Sequence, residues 1–329
     1  MASSFIVIVN YKTDRLVIEC LHSLSNQLNQ LDGGRVIVVD NASGDNSFER
    51  LQAAVSASGW NDWVEILALP RNGGFAYGNN RAIDRVREIN PAFEYVVLLN
   101  PDTVVRPGAM PALIGGLSAL PTVGIAGAVI EDEHGVRQQS AHPFPSPLGE
   151  LCAAAQLGVL SRWLLPLANG SAQGQLQPHD WLSGACLVIR REVLDTIGPL
   201  DEGYFLYFEE TDFCYRAKQA GWTCALLPEA RVMHFEGAAT GIRNAGRRLP
   251  AYWFDSRRRF FVKTYGMAGW LAADLLWALG RVSLVVRRFL HLGGRQGERG
   301  EPIRLGRDLL ASDFRALVSG TAADAGRCR

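Results

Sequence analysis

The side chains best suited to chemistry are acids that directly follow short apolar runs. The run 95–99 ends in Asn100-Pro101-Asp102, and the run 36–39 ends in Asp40. A short apolar run without polar alternation is typical of a buried strand in a parallel sheet, and such sheets bind ligands at the carboxyl ends of their strands. Asp102 could therefore hold Mg²⁺ or Mn²⁺ and, through the cation, phosphates. The tripeptide alone favours the competing interpretation, an ordinary turn.

A second acidic block, residues 201–216, interleaves carboxylates with aromatic rings. Burial beside such rings would raise the pKa of an unpaired carboxylate, and a carboxylate of this kind near a cation is suited to act as a general base. On a helix, Glu209 and Asp212 would share one face while Glu210 points about 100° away. The alternative role, favourable charge at a helix N-terminus, is worth only about 0.3–1 kcal/mol.

Three further polar features, including Asp40, could take part in binding, and each also has a purely structural explanation. His234 follows the strand-like run 231–233 and could complete a metal site, although a lone histidine after a strand is more often structural. Asp40 could accept a hydrogen bond from a base or ribose, and a turn cap explains it equally well. Asn72-Gly73-Gly74 could bring backbone N–H groups near a phosphate, or form a plain turn.

Alternating strands and helices must position these residues. Strands are predicted over 5–9, 36–39, 64–69, 95–99, 123–130, 182–189, 224–227 and 231–233, and helices over 16–28, from 45, over 75–89 and from near 107. This alternation predicts βαβ units and a parallel sheet, whose strand ends converge on one face. A dinucleotide-binding Rossmann domain would need G-x-G-x-x-G after the first strand, which ends instead in Asn10-Tyr11-Lys12.

The formal net charge of zero over 329 residues conceals an asymmetry. Residues 241–329 hold 17 Lys/Arg and 7 Asp/Glu, a net of +10, so the first 240 residues carry −10. An acidic front suits a metal and sugar site, and a basic tail suits a membrane or polyanion. The six cysteines contain no C-x-x-C pair, which predicts free buried thiols and a reducing compartment.

The tail contains an apolar run over 270–292, in which Asp274, Arg281 and Arg288 recur every seven residues. This narrow polar stripe favours a helix lying on an anionic membrane. A helix packed on the rest of the chain or on a second subunit is the alternative. No uncharged apolar stretch reaches about 18 residues, so no membrane-spanning helix is expected. The chain from about residue 293 is expected to be loosely ordered.

Taken together, the motifs resemble glycosyltransferase family 2, and within it the bacterial rhamnosyltransferases. The resemblance covers about residues 5–240 in the family's order and rests on the segments 9–11, 38–43, 72–80, 99–103, 183–185 and 208–216 and on His234. It implies a GT-A fold, which is α/β and Rossmann-like with a mainly parallel central sheet flanked by helices, over residues 1–245. A basic, amphipathic helical extension would follow over residues 246–329.

The resemblance also implies roles for individual residues. Asp40 would contact the nucleotide base, and Asp102 would bind metal and diphosphate at the end of the family's D-x-D motif, whose first Asp is Asn100 here. His234 would complete the metal shell. Glu210 would be the catalytic base, with Glu209 and Asp212 as alternatives. The remaining donor-side candidates are Asn10, Tyr11, Asn72, Gly74 and Asn79, and the acceptor-side candidates are Trp181, Ser183 and Gly184.

The implied activity is inverting transfer of L-rhamnose from dTDP-rhamnose to a lipid-linked or cell-envelope polysaccharide acceptor. It would take place at the cytoplasmic face of the inner membrane, with a divalent metal, peripheral membrane contact and no nucleic-acid partner; a homo-oligomer is left open. A UDP-sugar donor is the alternative within the class. A non-catalytic nucleotide-sugar binder would be free to lose Asp102, Glu210 and His234. A nucleotidyltransferase would need a Gly-rich, basic phosphate loop after the first strand.

Overall fold

The computed structural model describes residues 4–28, 34–156, 178–235, 248–290 and 304–321. The chain divides into two compact units. The first unit comprises residues 1–142, 171–205 and 209–241, and the second comprises residues 143–170, 206–208 and 242–329. The predicted domain boundary between residues 245 and 246 lies outside the described residues.

The first unit is an α/β structure built on a nine-stranded sheet. The strands of the unit are β1 (Ser4–Asn10), β2 (Arg35–Asp40), β3 (Val64–Ala68), β4 (Tyr95–Leu99), β5 (Thr103–Val105), β6 (Val123–Glu131), β7 (Ala141–His142), β8 (Pro178–His179), β9 (Trp181–Leu182), β10 (Cys186–Arg190) and β11 (Thr223–His234). Of these, β7 and β9 form a separate two-stranded sheet. The described helices of the unit are α1 (Asp14–Ser25), α2 (Ser47–Ala57), α3 (Phe75–Ile89), α4 (Ala109–Ser118), α6 (Arg191–Ile197) and α7 (Glu209–Gln219).

The strand order in the sheet is β3-β2-β1-β4-β10-β6-β11-β5, with β8 added on β11. Strands β1 to β4 are mutually parallel, and β6 and β11 form a second parallel pair. The intervening strand β10 is antiparallel to both of its neighbours. Every residue of β1 and β4 is buried, as expected for apolar strands covered on both faces. The predicted α/β fold with a mainly parallel central sheet is confirmed.

The topology brings many strand ends to one edge of the sheet. The carboxyl ends of β1, β2, β4, β6 and β11 lie there because these strands point the same way. Since β10 runs in the opposite direction and Cys186 pairs with Leu99, the turn before β10 lies at this edge as well. Residues 183–185 therefore meet the residues that follow β4, and the amide of Asn100 donates to the carbonyl of Ala185 over 2.9 Å.

Three predicted strands differ from the observed ones. The runs 224–227 and 231–233 form a single strand, β11, because the interruption between them is accommodated by a register shift between Leu227 and Arg231. The predicted strand 182–189 is divided, because β9 pairs with β7 whereas β10 pairs with β4 and β6. The amide of Ser183 donates to the carbonyl of Ser140 and so continues the pairing of β9 with β7 by one residue. The five described cysteines are free and buried, as predicted, and Cys328 lies outside the described residues.

The described part of the second unit is helical. It contains α5 (Pro147–Ala155), α8 (Ala251–Phe289) and α9 (Leu305–Ser319), and α8 is interrupted at Gly266, whose φ is 71°. The expectation of loose order from residue 293 is wrong for residues 305–319. Helix α9 forms there because it buries Leu309 and Ala316 and because Asp308 forms an ion pair with Arg248.

A buried arginine organises the second unit. The side chain of Arg257 is 2% exposed and forms ion pairs with Glu150 of α5 and Asp274 of α8, over 3.1 and 2.7 Å. The neighbouring Arg258 pairs with Asp313 of α9 over 2.7 Å. Asp274 is thus a partner of a buried cation rather than part of a solvent-facing stripe. These ion pairs connect the three described helices of the unit, α5, α8 and α9.

Helix α8 is long and apolar enough to cross a membrane, judged by length and composition alone. Its most apolar 18-residue window has a mean hydropathy of 1.4, and 22% of that window is buried. The sequence-based expectation of no membrane-spanning helix used a stricter criterion, an uncharged stretch of about 18 residues, and stays a prediction, because this window admits charged residues. The core helix of a water-soluble protein can meet the same test.

Candidate active site

Asp40, at the end of β2, is held in place by its neighbour in the sheet. Asn10 pairs with Asp40 in register and donates from Nδ2 to Asp40 Oδ1 over 2.7 Å. The hydroxyl of Ser43 donates to the same oxygen over 2.5 Å, and its amide donates to Oδ2. Asn10 is fully buried, so its side chain supports Asp40 from the interior of the protein. Tyr11, the next residue, is 42% exposed and offers its ring at the surface of the same edge.

The turn after β3 is fastened to the end of β2. Asn41 Nδ2 donates to Asn72 Oδ1 and to the carbonyl of Gly74, each over 3.0 Å. Asn72 Oδ1 also accepts the amide of Gly74 over 3.0 Å. The side chain of Asn72 therefore stabilises the turn. The buried Oδ1 of Asn41 has no hydrogen-bond partner within the described chain.

Asn79 lies one turn into α3 and is 1% exposed. Its Nδ2 donates to the carbonyl of Phe75 over 2.9 Å, while its buried Oδ1 has no hydrogen-bond partner among the described residues. A buried amide oxygen without a partner is costly unless a ligand or water supplies the donor. Asn79 thus retains one acceptor that a bound molecule could use.

The residues after β4 meet the end of β11. Asp102 Oδ1 lies 3.1 Å from His234 Nε2, and Asn100 Nδ2 lies 3.4 Å from the same nitrogen. Thr103, at the start of β5, pairs with His234 in register, and the amide of Phe235 donates to the carbonyl of Asp102 over 2.9 Å. Asp102 is 3% exposed. The fold thus brings the carboxylate of Asp102 and the amide of Asn100 to an imidazole that lies 132 and 134 residues further along the chain.

This trio suits a divalent cation. Carboxylate and amide oxygens and an imidazole nitrogen are ligands that Mn²⁺ accepts. Asp102 Oδ1 and His234 Nε2 lie 3.1 Å apart and could share one ion, whereas Asn100 directs Nδ2 towards His234 and would ligate a cation only after its amide turns to present Oδ1. Among the described residues, no group of three or more His, Cys, Asp or Glu side chains could hold a metal. Asp102 and His234 supply two such groups, so a cation held here would take its other ligands from Asn100, water or a bound phosphate.

Glu209 and Glu210 begin α7. Glu209 is 3% exposed, and the Oε2 atom of each side chain is buried without a hydrogen-bond partner in the described structure. Burial raises the pKa of Glu209 well above its ordinary value, and the Glu210 charge raises it further. Burial also raises the pKa of Glu210, opposed by backbone hydrogen bonds and by a side-chain hydrogen bond with Glu209. The pair can therefore hold a proton at Glu209 and leave Glu210 to exchange one.

Asp212 is engaged elsewhere. Its Oδ2 accepts from Arg216 Nε over 2.8 Å, and its Oδ1 accepts from the hydroxyl of Tyr204 over 3.3 Å. Arg216 also donates to the carbonyls of Ile197 and Pro199, which anchors the start of the acidic block. Glu209 and Asp212 lie three residues apart in one helix, as predicted, but Asp212 binds Arg216 and Tyr204 whereas Glu209 forms a hydrogen bond with Glu210.

The turn before β10 lies against the acid pair. A Cβ on Gly184 would be 3.6 Å from the carboxyl carbon and Oε1 of Glu210, an ordinary van der Waals distance, so Gly184 lies directly beside this carboxylate. Ser183 is held by its backbone bond to Ser140. Trp181 of β9 stacks on His142 of β7 with ring centroids 4.4 Å apart, and burial lowers the pKa of His142, which favours the neutral ring. The pair forms a flat, half-buried aromatic surface.

Three contributors to the site were not among the predicted residues. Ser43 completes the contacts of Asp40, Phe205 contacts the turn at Gly74, and His142 stacks on Trp181. Only Ser43 leaves a local signal, because it stands three residues after Asp40, at the spacing of a side-chain-to-backbone turn bond. Contacts of Phe205 and His142 are long-range, and no local pattern predicts them.

Comparisons with known proteins bear on this geometry. A family model described as glycosyltransferase like family 2 matches residues 3–249. The chain is 31% identical over 265 residues to an N-acetylglucosaminyl-diphospho-decaprenol L-rhamnosyltransferase of Mycobacterium tuberculosis, an alignment that covers 78% of this chain and 82% of that protein. It is 29% identical over 320 residues to a low-salt glycan biosynthesis hexosyltransferase of Haloferax volcanii, covering 91% and 93% of the two chains.

A solved structure shares the fold. The mannosyltransferase of Pyrobaculum calidifontis, in complex with GDP-Man and Mn²⁺, superposes with a TM-score of 0.55 at 14% identity, over 98% of this chain and 82% of that one. At this identity the likeness concerns the fold alone. It confirms the predicted GT-A architecture.

Proposed function

The chain belongs to glycosyltransferase family 2, and on that premise we propose that it transfers L-rhamnose from dTDP-rhamnose to a lipid-linked or cell-envelope polysaccharide acceptor with inversion at the anomeric carbon. That it is a glycosyltransferase follows from the family. The observation that carries the proposed chemistry is the 3.1 Å approach of Asp102 to His234 at the sheet edge that also carries Asp40. The name of the Mycobacterium tuberculosis relative supports rhamnose as the sugar and a lipid diphosphate as the acceptor's carrier.

The donor would occupy the edge formed by β1, β2 and β4. Asp40 has both carboxylate oxygens oriented by Asn10 and Ser43 and would accept a hydrogen bond from the nucleotide base. Tyr11, Asn72, Gly74 and Asn79 would line the same side, with the free acceptor of Asn79 available to a donor hydroxyl. Fixed side chains of this kind bind without a further ordering cost.

Asp102, His234 and Asn100 would hold a divalent cation, Mg²⁺ or Mn²⁺, together with the diphosphate of the donor. When bound, the cation would offset the negative charge that develops on the leaving nucleotide diphosphate. Asn100 carries no charge, so this set binds a cation through one carboxylate rather than two. The Mn²⁺ in the Pyrobaculum calidifontis structure supports a divalent metal in proteins of this fold.

Glu210 would act as the general base. It would take the proton of the acceptor hydroxyl as that oxygen bonds to the anomeric carbon, while the bond from the anomeric carbon to the diphosphate oxygen breaks and the electron pair leaves with the nucleotide. Its raised pKa brings it closer to neutral pH, where a base works best. The contacts of Asp212 with Arg216 and Tyr204 favour the glutamates over Asp212 for this role.

The acceptor would approach past Trp181, Ser183 and Gly184. Gly184 lies directly beside Glu210, and the ring of Trp181 offers a flat apolar face of the kind that packs on sugars. A lipid-linked acceptor would bring the enzyme to a membrane. Exposed apolar side chains in the second unit support this contact: Met267, Leu271, Leu275, Leu279, Val282, Val285, Val286 and Phe289 on α8, Leu290 directly after it, and Leu310, Phe314, Leu317 and Val318 on α9.

The first experiment is nucleotide release from a panel of dTDP-, UDP- and GDP-sugars, with Mg²⁺, Mn²⁺ or EDTA, beside an Asp102→Ala control. Metal-dependent release from dTDP-rhamnose alone is the expected result. Release from a UDP-sugar would preserve the enzyme class and replace the substrate. Calorimetric binding of each donor completes the test, because a chain that binds no nucleotide sugar contradicts the proposal even where an acceptor is missing.

A further inference from the structure

Two bulky residues just before the acid pair have an unusual backbone conformation. Tyr207 and Phe208 both have φ of 69°, and Glu209, the first residue of α7, follows directly. The left-handed region is uncommon for residues other than glycine, and two aromatic residues in succession are a clear departure from the ordinary pattern. Such a conformation persists only where the surrounding structure enforces it, and it concentrates at functional sites.

The first turns of α8 supply that enforcement. Residues 206–208 belong to the second unit, and Ser256 Oγ donates to the carbonyl of Leu206 over 3.0 Å. The ring of Phe208 lies against Trp253 and Phe260, with centroids 6.1 and 5.8 Å apart, while Tyr207 stacks on Tyr252 at 6.2 Å. The positions 252, 253, 256 and 260 recur at helical spacing, so they share one face of α8. We call this face, formed by Tyr252, Trp253, Ser256 and Phe260, the α8 clamp.

We propose that the α8 clamp is a positioning element for the reaction: by fixing the backbone of residues 206–208 it sets where Glu209 and Glu210 stand. The inference rests on the proposed role of Glu210. A helix starts in the direction that the preceding dihedral angles allow, so relaxation of Phe208 to an ordinary conformation would turn the first residues of α7. Displacement of a reacting group by about 1 Å can cost about 10²-fold in rate.

The other side of this segment is also fastened. The carbonyl of Phe205 accepts the amide of Phe75 over 2.7 Å, at the turn that carries Gly74. The residue that precedes the left-handed pair is thus held by a backbone hydrogen bond of its own.

Ser256→Ala tests the α8 clamp with a small change. It removes the hydroxyl that bonds to Leu206 and leaves the rings in place. We expect kcat to fall about 10-fold to 100-fold, with little change in the donor's KM or calorimetric Kd, because the variant displaces the base and not the donor site. Ser256→Thr retains the hydroxyl and should restore kcat. The assay uses whichever nucleotide sugar the unaltered protein turns over.

A matched control separates positioning from loss of stability. Leu284 lies in the same helix as the α8 clamp but beyond the interruption at Gly266. Leu284→Ala opens a cavity at a residue that is 6% exposed. It should lower the unfolding midpoint by at least as much as Ser256→Ala and leave kcat unchanged. Equal loss of kcat in both variants, unaltered kcat in Ser256→Ala, or failure of Ser256→Thr to restore it would each overturn the inference.

A second measurement does not depend on the sugar. Titration of ¹³C-labelled glutamate, assigned with Glu209→Gln and Glu210→Gln, reports the raised pKa values of the pair directly. In Ser256→Ala these values should move towards that of an ordinary glutamate, and in Leu284→Ala they should not. Inactivity of the unaltered protein on every donor would contradict the proposed function, while an unchanged titration in Ser256→Ala would contradict the positioning role.

Discussion

Gly74 packs its α-carbon directly on the backbone of Phe205. A Cβ placed on Gly74 would lie 2.2 Å from the carbonyl oxygen of Phe205, and the φ of Gly74 is 92°. The same carbonyl accepts the amide of Phe75 over 2.7 Å. The turn after β3 and the segment that leads towards the acids of α7 are therefore joined through their main chains, and only glycine permits the approach.

Gly74→Ala is expected to damage both stability and activity, because the new methyl group meets backbone that cannot rotate away. Gly59→Ala is the matched control, since Gly59 also has positive φ, 69°, but has no atom within 4 Å of the added Cβ. Urea unfolding should show a larger loss for Gly74→Ala, and the donor's KM should rise in that variant alone. Equal losses would mean that the contact with Phe205 contributes nothing beyond backbone strain.

Glu210→Gln should retain donor binding and lose most turnover. The amide keeps the size of the side chain and cannot accept a proton, and a general base is typically worth about 10²–10⁴-fold in rate. Calorimetry with the donor and a steady-state assay check the two halves of this prediction. Asp212→Asn is the comparison: it weakens the contact with Arg216, so its loss should appear mainly in the unfolding midpoint. Full activity in Glu210→Gln would move the role of base to Glu209.

The pH dependence of kcat should report the raised pKa of Glu210. Activity requires the ionised form, so kcat should rise with pH through a midpoint above the ordinary glutamate value of 4.5. A side-chain hydrogen bond from Glu209 lowers the pKa of Glu210, so Glu209→Ala should move that midpoint to higher pH. Glu209→Gln still donates a hydrogen bond and should leave the midpoint nearly in place. Identical profiles for the two variants would exclude the hydrogen bond as the cause.

His234→Ala should weaken Mn²⁺ binding in the presence of nucleotide diphosphate by at least about 10-fold, since it removes the one imidazole beside Asp102. Calorimetry with Mn²⁺ and dTDP measures this directly. His142→Ala removes a histidine that stacks on Trp181 instead, and its Mn²⁺ affinity should be unchanged. Unaltered Mn²⁺ binding in His234→Ala would assign His234 a purely structural role at the end of β11.

Arg257→Met should cost about 3 kcal/mol of unfolding free energy, because it removes a buried cation and leaves the half-buried carboxylates of Glu150 and Asp274 without their shared partner. Arg85→Met removes an exposed arginine that pairs with Glu65 and Glu88 and should cost about 1 kcal/mol or less. Urea unfolding of both variants gives the comparison. Similar costs would mean that the Arg257 network adds no more than a surface ion pair.

The sequence by itself determined most strands and helices and the candidate residues at the sheet edge where the carboxyl ends of the parallel strands lie. The bounds of α3 and β4 agree with the predicted 75–89 and 95–99, because apolar runs and helical spacing are local properties that burial selects directly. The placement of Asp40, Asp102 and His234 at strand ends could be predicted from the same local patterns, because each follows a strand-like run. A parallel sheet then brings such ends together without further information.

Only the tertiary structure decided how those residues are partnered. In the folded chain, β10 lies antiparallel between β4 and β6, and this placement brings Gly184 next to Glu210. Asp212 forms hydrogen bonds with Arg216 and Tyr204. Helix α9 also forms within the stretch from about residue 293, whose Gly- and Arg-rich composition suggested loose order. Strand order and ion pairing depend on contacts between segments far apart in the chain. The free energy of such contacts arises only when the segments meet, so no local pattern records it.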